Sequence, residues 1–187
     1  MKRSANERVR LLAHLANSRG QSLDDEHDEI TRQFVHHAMA FAARMQDIRK
    51  ALGRAIGLSG TQYTILISIA RRERKGGVGL RDIAERLHFT PAFLTIEVNK
   101  LAAAGLIAKK ENPDDRRRVL LTISPKAREL LRSIRAIQQP ANSVLFEDVT
   151  TDDFDLMRRK MLGLVNNSER ALQLIGLLAG PARGDED

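Results

Sequence analysis

The sequence predicts a mainly α chain carrying one small β-hairpin. Apolar residues recur at helical spacing along two long stretches, Ile30 to Ile56 and Phe154 to Leu178. Shorter helical patterns between them each begin at a hydroxyl cap, Ser59, Thr90 or Ser124. Strand composition is confined to Leu106–Lys110 and Val119–Ile123, on either side of a turn built from Asn112-Pro113-Asp114-Asp115.

Residues 1–22 read as an N-terminal extension, in which Ser4 and Glu7 have capping-box spacing and Val9, Leu12 and Ala16 share a face, as a short helix requires. Residues 23–58 then form the first long helix. Its acidic first turn, Asp24 to Asp28, complements the helix dipole, and its stripe runs through Phe34, Phe41, Met45, Ile48 and Leu52 before Gly57 ends it. Ser59 caps the next helix, Thr61 to Ala70, whose Tyr63, Ile65, Leu66, Ile67 and Ile69 predict a buried element. Arg71 to Gly79 reads as a basic, Gly-rich connection.

Leu80 to His88 makes a short helix with Ile83, Ala84 and Leu87 inward. Thr90-Pro91 places a cap before a proline at the first helical position, and Leu94, Val98 and Leu101 hold one face until Gly105 closes the helix. A helix, a tight turn and a second helix are therefore followed by a hairpin whose tip carries Arg116, Arg117 and Arg118. That order is a helix-turn-helix with a basic wing, spanning residues 59–123. Residues 124–180 continue as helices, the first with a stripe of Ala127, Leu130, Leu131, Ile134 and Ile137 and an expected break or kink at Pro140. The last opens at Thr150 or Thr151, and residues 181–187 are an acidic tail. The fold class is thus mainly α, a winged helix-turn-helix with a two-stranded β wing and long terminal helices.

Composition narrows the function classes. The chain has 187 residues with 31 Lys and Arg against 24 acids, a net charge of +7 and a pI near 10.2, which favours a polyanionic partner. The absence of cysteine excludes disulfides, thiolate nucleophiles and Cys-based redox sensing. The histidines His14, His27, His36, His37 and His88 lack metal-ligand spacing, and no nucleophile with base, phosphate loop or carboxylate pair points to catalysis. No cofactor, metal site or enzyme activity is expected. No apolar run approaches the roughly 20 residues of a membrane span and the N-terminus lacks an apolar signal core, so a soluble cytoplasmic protein is expected.

Four stretches carry a family resemblance: Gly60-Thr61-Gln62-Tyr63, Leu80 to Leu87, Leu94 to Ile107, and Asp114 to Leu120 leading to Ser124-Pro125-Lys126. Through them the sequence, from about Asp28 to Leu178, resembles the MarR family of winged helix-turn-helix transcriptional regulators. The resemblance implies that Arg117 enters the minor groove while Asp115 braces it, a role the chemistry fits, since Arg suits a narrow electronegative groove. Arg116, Arg118, Lys109 and Lys110 are then expected on phosphates. On the recognition helix, Ala92, Thr95, Ile96, Asn99 and Lys100 face outward by helical geometry. Thr95 and Asn99 are suited to base edges, Ile96 to a thymine methyl, and Lys100 to guanine or phosphate.

The resemblance also implies a homodimer whose first and last helices interleave, and a ligand, a small aromatic acid or phenol, held between the dimerisation helices and the DNA-binding lobe. Taking Phe34 as the stripe's centre, Gln33, His37 and Arg44 share a flank suited to a carboxylate, with His36 on the opposite side. The function expected is that of a homodimeric, sequence-specific DNA-binding repressor of double-stranded operators, modulated by such a ligand. The alternative is a protein-interaction module, or a regulator with a degenerate reading helix, in which Phe93 and Ile96 dock on a protein.

Overall fold

The computed structural model describes residues 25–73, 76–113, 115 and 118–179. The expected short helix at Ser4–Ala16, the acidic tail, and Asp114, Arg116 and Arg117 of the wing lie outside the described residues. The chain divides into two compact units, residues 1–134 and 135–187.

In the first unit, α1 spans Asp25–Ala55 and α2 Gly60–Arg72. Their junction is fixed by a reciprocal capping box. The Ser59 hydroxyl accepts from the Gln62 N–H at 3.1 Å, and the Gln62 side-chain oxygen accepts from the Ser59 N–H at 3.1 Å. Strand β1 (Val78–Gly79), α3 (Leu80–Leu87), α4 (Pro91–Ala103), β2 (Ile107–Glu111), β3 (Val119–Ile123) and α5 (Pro125–Ser133) follow.

The core belongs to the winged lobe. Ile65, Leu66 and Ile69 of α2 meet Ile83 of α3, Leu94 and Val98 of α4, and Leu121 of β3, all at 0% exposure. A smaller cluster joins Leu52 of α1, Tyr63 of α2 and Ile134. Burial of this kind, at ~1.5–3 kcal/mol per large aliphatic side chain, is what holds short helices that would not persist alone.

The sheet corrects one expectation. It is three-stranded and antiparallel, in the order β1-β3-β2, where the sequence predicts a two-stranded wing. Val78 pairs with Leu121 and Gly79 with Leu120. Gly77 permits the approach, because its φ is +109° and a Cβ there would lie 2.9 Å from the Leu121 carbonyl oxygen. Strand β2 starts and ends one residue later than expected, pairing Ile107 with Ile123 through Glu111 with Val119.

In the second unit, α6 spans Arg135–Leu145 and α7 Thr151–Ala179. Here a second expectation is corrected. The helix following Ser124 breaks at Ile134, whereas Pro140 sits inside α6. The N–H of Ile134, a residue only 1% exposed, reaches the Leu130 carbonyl over 3.4 Å, and the stripe ends there, so Ile137 is 53% exposed rather than inward. Helix α7 opens on a cap in which Thr150 and Asp153 exchange bonds: Thr150 Oγ1 accepts from the Asp153 N–H at 3.2 Å, and Asp153 Oδ2 accepts from the Thr150 N–H at 3.1 Å. The Thr150 hydroxyl, which donates to Asp153 Oδ2 at 2.6 Å, and then the Thr150 N–H hold the Asp153 carboxyl below its usual range. None of α7 is buried, and its Phe154, Met157, Met161, Leu164, Leu172 and Ile175 are each at least 42% exposed.

Candidate nucleic-acid interface

Helices α3 and α4 are joined by a three-residue turn, His88-Phe89-Thr90. His88 takes the left-handed conformation at φ 52°, and the Phe89 N–H returns to the Ala84 carbonyl at 3.0 Å. Thr90 Oγ1 accepts from the Phe93 N–H at 3.2 Å, and Pro91 needs no donor where it stands. At the far end Gly105, with φ +71°, lets the Leu106 N–H reach the Leu101 carbonyl at 2.9 Å, and Lys126 Nζ donates to the Ala104 carbonyl at 3.0 Å. A cation there complements the helix dipole.

So capped, α4 buries Leu94, Val98 and Leu101 and exposes Ala92, Thr95, Ile96, Asn99 and Lys100, the two faces read from the sequence. Glu97 departs from a simple two-faced pattern. It is 8% exposed, and its Oε1 accepts from Lys100 Nζ at 2.6 Å. Burial of the carboxylate is offset by that charge-assisted bond.

The wing stands beside this helix. Lys109 and Lys110 are exposed on β2, and Lys109 Nζ donates to Asn99 Oδ1, joining wing strand to recognition helix across ten residues of sequence. At the tip the Asp115 N–H reaches the Asn112 carbonyl at 3.2 Å and the Arg118 N–H the Asp115 carbonyl at 2.9 Å. Arg118 Nε lies 3.2 Å from Asp115 Oδ2, so the Asp braces an arginine of the tip. Arg116 and Arg117 lie outside the described residues.

Sequence reasoning missed three parts of this arrangement, namely β1, the buried Glu97 and the link from Lys109 to Asn99. Only the last had a signal, a Lys on the strand that follows a helix bearing an exposed Asn in its second half.

Within the same unit a cavity of about 780 Å³ is lined by Arg49 of α1, Ser68, Arg71 and Arg72 of α2, and Asp82 and Arg86 of α3, among others. Tyr63, 3% exposed, has a hydroxyl without a hydrogen-bond partner. Burial raises its pKa, and the charges of Arg71 and Arg49 oppose that rise. Gln33, His37 and Arg44 are all exposed on α1 and do not line this cavity. Gln33 donates to Glu29 at 2.9 Å, and Arg44 lies 3.8 Å from Asp47. Eleven residues of helix separate Gln33 from Arg44, roughly 16 Å, so they do not converge on one small molecule within the chain.

The sequence profile of the MarR family matches residues 56–118, which run from the end of α1 to the tip of the wing. Over those residues the chain is similar to the MarR family. Among relatives, the HTH-type transcriptional repressor MdtR of Bacillus subtilis is 26% identical over 114 residues, 59% of this chain and 74% of its own. A MarR protein from Peptoclostridium difficile superposes with a TM-score of 0.61 at 20% identity, covering 74% of this chain and 88% of its own. The Mycobacterium tuberculosis transcriptional regulator MOSR, solved in complex with DNA, gives 0.57 at 18% identity over 73% of this chain and 96% of its own. Similarity at that level shows the fold. The chain thus has a mainly α, winged helix-turn-helix architecture. No described helix is long and apolar enough to cross a membrane.

Proposed function

We propose that the protein is a homodimeric, sequence-specific repressor that binds double-stranded operator DNA and releases it on binding a small anionic ligand. One observation carries this reading: Thr95, Ile96, Asn99 and Lys100 stand exposed on a helix whose other face is fully buried, beside a wing strand bearing Lys109 and Lys110. In this reading α4 lies in the major groove, Lys109, Lys110, Arg116 and Arg118 meet phosphates, and Arg117 enters the adjacent minor groove with Asp115 at the same tip. The repressor name of the MdtR relative and the DNA in the MOSR structure support it.

Dimerisation is supported by the apolar side chains left uncovered on α1 and α7, among them Met39 at 70% and Leu172 at 68% exposure. A two-fold dimer places two reading helices about 34–36 Å apart, one turn of DNA. The ligand reading is supported by the arginine-lined cavity, whose volume suits a small molecule and whose Arg49, Arg71, Arg72 and Arg86 outnumber Glu73 and Asp82. An aromatic carboxylate fits that chemistry. Exposed Phe93 and Ile96 favour one other reading, a face that docks on protein.

Footprinting on DNA from the gene's own upstream region, with Arg117→Ala beside the wild type, tests the proposal. A symmetric footprint is expected from the wild type, and a binding loss of about 1–3 kcal/mol from the variant if Arg117 makes a good groove contact. Unchanged affinity in a folded Arg117→Ala protein removes that residue from the site, and a uniform, unprotected ladder overturns operator binding.

A further inference from the structure

The polar groups of α4 are engaged within the chain. The Thr95 hydroxyl donates to the Pro91 carbonyl at 2.7 Å, Lys100 donates to the buried Glu97 at 2.6 Å, and the Asn99 side-chain oxygen accepts from Lys109. Asn99 is thereby left its NH₂ to donate. The rest of the outward face is apolar, and its large members are Phe93 at 41% and Ile96 at 54% exposure.

Both are held before any partner arrives. The Phe93 ring stands edge-on to Phe89, with centroids 5.1 Å apart and planes at 81°. Ile96 is β-branched, and such a side chain keeps essentially one χ1 rotamer in a helix. Covering either one costs little side-chain entropy. The neighbouring cations, Lys100, Lys109 and Lys110, are all exposed, so the apolar patch sits in a field that attracts a polyanion rather than a neutral protein surface. In the DNA major groove the one apolar group on offer is the thymine 5-methyl.

We infer that α4 reads its operator chiefly through thymine 5-methyl groups, with Ile96 as the main reading side chain, Phe93 beside it, and Asn99 held by Lys109 as a hydrogen-bond donor. The inference rests on the DNA-binding reading above and adds what the helix selects. Asn99 then addresses base acceptors such as thymine O4 or guanine O6 and N7, and half-sites contain thymine opposite Ile96.

The test begins with selection of preferred duplexes from a randomised library by the full-length protein. Each selected duplex is then prepared with thymine and with deoxyuracil, which differ only by the 5-methyl, and titrated by fluorescence anisotropy against wild type and Ile96→Ala. Wild type is expected to lose about four-fold in affinity for each methyl it covers, whereas Ile96→Ala binds the two forms equally. Equal, specific binding of both forms by wild type overturns methyl reading while leaving operator binding intact. Failure to enrich any duplex overturns both readings and turns attention to protein docking at Phe93 and Ile96. A methyl effect of equal size in Ile96→Ala assigns the reading to another residue and overturns the role of Ile96.

Discussion

Leu94 and Ile96 stand two positions apart on α4 at 0% and 54% exposure, and truncating each to Ala separates what folds the helix from what it presents. Leu94 lies in the cluster that contains Ile65, Ile83, Val98 and Leu121. Removing its buried carbons loses their transfer free energy and opens a cavity, together about 2–5 kcal/mol. For Ile96 slightly less than half of the side chain is covered, so the transfer loss is a fraction of the ~1.5–3 kcal/mol of full burial. Ala also returns a few tenths of a kcal/mol of helix propensity. Ile96→Ala should therefore change stability by less than about 1 kcal/mol. Urea unfolding followed by far-ultraviolet circular dichroism, at one protein concentration, measures both, and duplex binding under native conditions completes the comparison. Leu94→Ala is expected to shift the urea midpoint strongly, and Ile96→Ala to leave it nearly in place while weakening DNA binding. Equal stability losses, or the reverse order, would refute the assignment of the helix's two faces.

Thr90→Ala removes the cap of α4 and should cost about 1 kcal/mol, read in the same urea experiment. Lys109→Met takes a cation from the wing and its bond from Asn99; if Lys109 also meets a phosphate, the slope of log K against log salt falls by about one. Tyr63→Phe removes a buried hydroxyl without a partner, so stability should hold or rise by up to about 1 kcal/mol. Because burial raises the Tyr63 pKa, the unfolded chain loses that proton first, and the wild type should lose stability as pH climbs above about 10, through the folded value. The Phe variant should lack that part of the alkaline loss, seen in thermal melts across the range. Leu172→Glu with Ile175→Glu places charge on the exposed face of α7 and is expected to give monomers in sedimentation velocity, where the wild type is expected to sediment as a dimer.

Much of the lobe was legible because its signals are local. Ser59, Thr90 and Ser124 mark helix starts, and each hydroxyl accepts from the N–H three residues on, as a cap does. Leu94, Val98 and Leu101 declare the inner face of α4 by spacing alone. What escaped depends on partners distant in sequence. Two residues carry no period, so β1 exists only because Leu120 and Leu121 offer a strand edge. Glu97 is buried by packing that its own helix does not encode, and Asn99 meets Lys109 only once the wing folds back. Pro140 was a signal for a break, yet the break falls at Ile134, the last buried residue of its stripe. Gln33, His37 and Arg44 share a helix flank in the sequence, but a cavity is a property of several elements, and the one described draws on α1, α2 and α3.

The most direct test of operator binding is a fluorescence-anisotropy titration of the protein against DNA from its own upstream region and a scrambled duplex, at two salt concentrations. Tighter binding to the upstream duplex is predicted, with log K falling steeply against log salt, at a slope of about −7 for some eight phosphate contacts. Equally weak binding to both duplexes, insensitive to salt, would contradict the account.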